Sequence, residues 1–104
     1  MPKYAAKVDA NQPEIVDALR AAGYTVDSTL YRAGQGWPDI AVSRKVAGTK
    51  LPPLLLVEIK VPGKGKLTSA ERAWFEQWPD GIPAIVATSA EDVMAWFDEY
   101  EASQ

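Results

Sequence analysis

The sequence predicts a single α/β domain in which a central mixed β-sheet is flanked by helices. Three observations carry that expectation. Residues 40–43 and 54–60 are short apolar β-like runs joined by a turn-rich polar connection, which permits an antiparallel return. A third apolar run, 82–87, stands between two stretches whose apolar residues recur at helical spacing, so this strand is expected to lie parallel to a neighbour, with helices covering the sheet. Finally, 104 residues suffice for one core and are too few for two, so 1–104 reads as one domain with its core over about 11–100.

The elements follow in order. Asn11 reads as a helix N-cap, with Pro13 tolerated in the first turn and Glu14 three residues after the cap; Gly23 stops the helix after about Ala22. Ile15, Val16, Leu19 and Ala22 form its apolar face. Runs 24–26 and 29–32, parted by Asp27-Ser28, suggest two strands or one bent strand. A loop with two glycines follows at 33–36, and Trp37 before Pro38 should be extended. Strand 40–43, the polar connection 44–53 and strand 54–60 come next. A glycine-lysine loop at 61–66 leads to a helix capped by Thr68 or Ser69, with Leu67, Glu71, Trp74, Phe75 and Trp78 at helical spacing. After a turn at 79–81 and strand 82–87, Thr88-Ser89 caps a last helix with apolar positions Val93, Met94, Trp96, Phe97 and Tyr100.

Composition narrows the chemistry. The chain has no cysteine and no histidine, which removes thiolate zinc sites, disulfides, cysteine nucleophiles and the commonest general base. An apolar fraction of 47% and a charged fraction of 24% are those of a soluble globular protein. No apolar run has the length of a membrane span and no signal-peptide core follows the first residues, so the expectation is a cytoplasmic protein. The net charge of -3 hides a division: residues 1–72 hold all 11 basic residues against 7 acidic ones, whereas 73–104 hold 7 acidic and none basic. One face is free to be basic while the C-terminal helix is acidic and solvated.

The charged residues set inside apolar runs are the candidates for function. Asp39 opens the run Ile40-Ala41-Val42, and Glu58 and Lys60 close the run that begins at Leu54. Strand side chains alternate faces, so Glu58 and Lys60 share one face while Val57 and Ile59 point to the other. Two carboxylates and an amine beside a core cost several kcal/mol each if left uncompensated, on the order of the penalty for an unpaired buried charge. A hard divalent cation such as Mg²⁺ would compensate them, since it takes one or two carboxylates plus water and phosphate oxygens. The plainer alternative is a surface ion pair between Glu58 and Lys60, with Asp39 a turn residue. Glu14 is either a capping carboxylate or one projected towards the site, and the two are not exclusive. Lys64 and Lys66 have the setting of a phosphate-contacting loop, which a merely solvated loop would share.

With these motifs placed, the chain resembles the VRR-NUC branch of the PD-(D/E)XK nuclease superfamily. The resemblance rests on Glu14 in the first helix, Gly36-Trp37-Pro38-Asp39, Glu58-Ile59-Lys60, the basic loop after it, and Leu67-Thr68 before a helix with a tryptophan; it covers about residues 11–90. It implies a restriction-endonuclease-like core and a Mg²⁺-dependent endonuclease, with Mn²⁺ able to substitute. Asp39, Glu58 and the Ile59 carbonyl would hold the metal; Lys60 would orient water or stabilise charge, and Glu14 would complete the catalytic set. Lys64, Lys66 and Gln35 would contact DNA. The implied substrate is branched or structured DNA, including four-way (Holliday) junctions, in viral or bacterial replication and repair. A homodimer is also implied, since cutting two strands of a symmetric junction needs two sites related by a twofold axis. Its interface is expected around Trp96, Phe97 and Tyr100. Where the family often has glutamine early in the helix after the basic loop, this chain has Glu71, which is left outside the catalytic set. The competing readings are a DNA-binding module without cleavage and a structural protein that binds no metal.

Overall fold

Residues Thr25–Asp27 (β1), Ile40–Ser43 (β2), Leu54–Ile59 (β3) and Ala84–Ala87 (β4) form one four-stranded sheet in that order, in a computed structural model that describes residues 11–63, 66–79 and 81–104. β1 and β3 each pair antiparallel with β2, and β4 runs parallel to β3. The helices are Gln12–Ala21 (α1), Ser69–Gln77 (α2) and Ala90–Ala102 (α3). The fold is therefore α/β with a mixed sheet flanked by helices, as the sequence predicts, and it is compatible with a restriction-endonuclease-like core.

Alternation along the strands divides the sheet into two unlike faces. Leu55, Val57 and Ile59 of β3, Ile40 and Val42 of β2 and Val26 of β1 lie on one face and pack against Ile15, Val16 and Leu19 of α1 and Val93 and Phe97 of α3. Leu19 and Phe97 are fully buried, and each contributes about 2–3 kcal/mol from apolar burial. The other face carries Leu54, Leu56 and Glu58. Here α2 approaches, and Leu54 and Val86 keep nearly half of their surface in solvent, at 45% and 44%. Every side chain of α2 is at least partly exposed. Its docking relies on Trp37, which meets the rings of Trp74 and Trp78 at 5.5 and 5.2 Å, and on Gly36, where a Cβ would lie 2.5 Å from the Ala70 carbonyl oxygen.

Several local expectations are corrected. Residues 29–32 are not a strand: Leu30–Ala33 is a 3-10 helix. Asp27 turns the chain there, its Oδ1 accepting from the backbone N–H and the hydroxyl of Thr29 at 2.8 and 2.7 Å, and this local bonding competes with strand extension. Asn11 precedes α1 but its side chain does not cap it. Phe97, expected at an interface, is at the centre of the core, edge-on to Tyr24 and Trp96, while Trp96 stacks on Tyr100. The acidic α3 is only partly solvated in character, since Arg44 pairs with Asp98 at 3.0 Å and Glu101 at 3.1 Å and lies over the rings of Tyr24 and Phe97. Among the described residues, no helix is long and apolar enough to cross a membrane.

Candidate functional site

The site forms where the β2–β3 ladder ends. The Asp39 backbone N–H donates to the Val57 carbonyl at 3.0 Å, and then the ladder is taken over by a side chain: the Ile59 N–H donates to Asp39 Oδ2 at 2.7 Å. Pro38, fully buried, has no N–H with which to continue the pairing. Asp39 thus lies at the bend that leads into β2, held against Val57 and Ile59 of β3, and its charge acts on the neighbouring Glu58.

Glu58 is 3% exposed, the most deeply buried charged side chain among the described residues. Its Oε2 accepts from Lys60 Nζ at 3.3 Å, while its buried Oε1 has no hydrogen-bond partner. Lys60 reaches further, to Glu71 Oε1 at 2.7 Å. Burial pushes the Glu58 carboxyl up to about 9; a hydrogen bond to Glu71 and the charges of Asp39 and Glu71 add to this, and Lys60 opposes it. Burial favours a neutral Lys60 too, but the hydrogen bond and charge of Glu71, with Glu58, outweigh it and raise the Lys60 pKa. Burial likewise works against the Glu71 charge, and hydrogen bonds from Lys60, Glu58 and the Thr68 backbone hold its pKa below the ordinary value. Without a bound cation, the proton shared between the two glutamates therefore resides on Glu58.

Glu71 is the residue that motif reading left out. It occupies the third position of α2, where its backbone N–H donates to Thr68 Oγ1 at 3.2 Å and its Oε1 accepts from the Thr68 N–H at 2.9 Å, a capping box. The sequence held a signal for it: Glu71 shares the helical stripe of Trp74, Phe75 and Trp78, so the face that docks α2 also delivers this carboxylate.

The remaining expected residues are dispersed. Glu14 is exposed and lines a groove with Asn11, Ile15, Thr88, Ser89 and Glu91, apart from the contacts among Glu58, Lys60 and Glu71. On the buried stripe of α1 it is Gln12, in line with Ile15, Val16 and Leu19, that stands at the end nearest the strands, and its Oε1 is buried without a partner. Asn11 Nδ2 donates to the carbonyls of Lys60 and Thr88, both at 3.2 Å, which ties the start of α1 to the chain just beyond β3 and β4. Gln35 and Lys66 are exposed, and Lys64 lies outside the described residues.

Among the described residues, no group of three or more His, Cys, Asp or Glu side chains is arranged to hold a metal. Two neighbouring carboxylates, Asp39 and Glu58, the latter with a buried oxygen that has no partner, nonetheless fit a hard divalent cation that completes its shell with carbonyl, water and phosphate oxygens. Comparison with family models, with curated proteins and with solved structures gave no match, so a functional reading of this chain rests on its own residues.

Proposed function

We propose that the chain is a divalent-cation-dependent DNA endonuclease of the VRR-NUC type. The observation that supports this best is the buried Glu58 carboxyl, which feels the charge of Asp39 at the end of the β2–β3 ladder and has the Lys60 ammonium 3.3 Å away. An ion pair confined to the surface does not account for a glutamate that is 3% exposed and has one oxygen unbonded.

Asp39, Glu58 and the Ile59 carbonyl would hold Mg²⁺ or Mn²⁺, which when bound neutralises phosphate oxygens and lowers the pKa of a coordinated water. The other contributions come from the chain. Glu58 would release its proton to solvent on serving as a ligand. Lys60, held at the end of β3 by two carboxylates, brings positive charge to the place where a phosphodiester gathers negative charge during hydrolysis. Asp39 is aligned by the Ile59 N–H, so its position is set by the strand pairing itself. Lys66 and Gln35 are exposed and would meet the DNA backbone, and Lys64, outside the described residues, is the further basic contact expected from the sequence. The substrate class is branched or structured DNA, and a homodimer would supply the two sites that a symmetric junction needs. The exposed apolar side chains available to such an interface include Leu51, Leu54, Ile82 and Val86.

The test is incubation of the purified protein with labelled linear, flapped and four-way DNA, with and without Mg²⁺ or Mn²⁺. Cation-dependent cleavage that vanishes in Asp39→Asn supports the reading. Cleavage that persists in Asp39→Asn, or its absence on every substrate, overturns it.

A further inference from the structure

We propose that Glu71 is the positioning residue for Lys60 and supplies the negative charge that lets a lysine and a divalent cation occupy one site. This rests on the reading of Asp39 and Glu58 as the cation ligands.

The contact to Glu71 is the shorter of the two that Lys60 makes, at 2.7 Å against 3.3 Å to Glu58. A lysine has a flexible stem and little directional preference, so an ammonium with a fixed location needs a fixed partner. Glu58 is a poor one, because a cation held on its Oε1 would repel an ammonium held on the Oε2 of the same carboxylate. Glu71 lacks that conflict. Its carboxylate is locked by the capping box, where the same Oε1 accepts from Thr68 N–H and from Lys60. Its helix is indexed to the site by the loop that ends in Asp39: Gly36 abuts the carbonyl of Ala70, the residue before Glu71, and Trp37 packs on Trp74 and Trp78. One short segment thus fixes Asp39 in sequence and Glu71 in space.

Charge balance points the same way. When ionised, the three carboxylates of Asp39, Glu58 and Glu71 offset one ammonium and one divalent cation. With a neutral residue at 71, the loaded site would carry one uncompensated positive charge, and Lys60 would be repelled by the cation. A carboxylate also repels phosphate, so its removal should weaken cation binding without weakening DNA binding. A residue that only stabilised α2 would give no such split.

Glu71→Gln tests this, because glutamine also serves at this position of a capping box and keeps the helix start while losing the charge. Three measurements apply to the wild type and the variant: Mn²⁺ affinity by calorimetry, solvent exchange of the Lys60 ammonium by ¹⁵N NMR, and kcat and KM on the best DNA substrate. The expected result is an unchanged fold, Mn²⁺ binding weaker by about tenfold or more, in the range for residues that hold a site's inner groups, faster ammonium exchange, a lower kcat and a KM that does not rise. Glu71→Asp, which restores the charge on a shorter arm, should recover part of the Mn²⁺ affinity. Wild-type Mn²⁺ affinity and ammonium exchange in Glu71→Gln would overturn the proposal, as would a loss of fold, which would make the carboxylate a structural element. A wild type that cleaves nothing, beside a Glu71→Gln that shows the expected Mn²⁺ and NMR changes, would count against the nuclease reading and leave the role of Glu71 standing.

Discussion

Replacing Glu58 with glutamine should stabilise the metal-free protein, and the gain should grow with pH. The Glu58 carboxyl is raised from 4.5 to about 9, first by burial and then by Glu71 and Asp39. The native state therefore binds this proton more tightly than the unfolded chain does. Its contribution to stability is complete below pH 4.5 and is lost progressively as pH rises towards about 9. Each pKa unit corresponds to about 1.4 kcal/mol, so the expected loss between pH 5.5 and 8.5 is about 2–4 kcal/mol, a large share of the roughly 5–15 kcal/mol that holds a typical domain together. Few other groups confuse the window. The chain has no histidine, the lowered pKa values of Asp27, Glu71 and Asp92 act at acid pH, and the raised Lys60 acts above it. Urea unfolding in EDTA at pH 5.5, 6.5, 7.5 and 8.5 gives the two stability curves. The wild type should fall away from Glu58→Gln steadily across the series. Parallel curves would refute the argument, because they would mean that Glu58 titrates alike in the folded and unfolded chains.

Three further outcomes are expected. Asp39→Asn and Glu58→Gln should each abolish cation-dependent DNA cleavage while circular dichroism stays that of the wild type, since both changes remove charge at nearly constant volume; activity surviving in either would dismiss the ligand assignment. Replacing Lys64 and Lys66 together with alanine should reduce the slope of log affinity against log salt by about 1.8 on duplex DNA, at roughly 0.9 per phosphate contact, and an unaltered slope would make the loop merely solvated. Gly36→Ala should cost about 2–4 kcal/mol in thermal unfolding, because φ is +84° and the new Cβ would meet the Ala70 carbonyl oxygen at 2.5 Å; it should also separate Glu71 from Lys60, and a variant with wild-type stability would show that α2 docks without this close approach.

The sheet was legible because its strands carry their own signals. Period-two alternation placed Glu58 and Lys60 on one face, and the 3.3 Å contact between them matches. The parallel placement of β4 followed from its position between two helices. What resisted reading were choices made by tertiary contacts. Asn11 and Glu14 have capping-box spacing, yet the Asn11 amide is spent on the carbonyls of Lys60 and Thr88, because that end of α1 abuts the ends of two strands. At Glu14, one position of helical phase decided the matter: Gln12 continues the buried stripe and Glu14 does not. Phe97 was misjudged because aromatic abundance does not say which ring the core takes. For Glu71 the stripe was visible, but nothing in a one-dimensional pattern shows that the turn of α2 ends against Lys60.

The main apolar core and the candidate site around Glu58 lie on opposite faces of the sheet, and β3 shows how. Its buried side chains alternate between Leu55, Val57 and Ile59, which join α1 and α3 in one continuous core, and Leu56 and Glu58, which face α2. The first set supplies most of the apolar burial, so the second is free to hold groups that oppose folding. A carboxyl raised to about 9 is one such group, because at neutral pH it keeps a proton that it would lose if unfolded. An α2 with no fully buried side chain is another, held by a tryptophan, a glycine contact and one lysine bridge. The face that contributes least to the fold is thus the one whose parts can shift when charge enters the site. Substitutions at Asp39, Glu58, Lys60 and Glu71 should therefore alter ligand binding far more than they alter the fold, whereas truncating Leu19 or Phe97 should do the reverse.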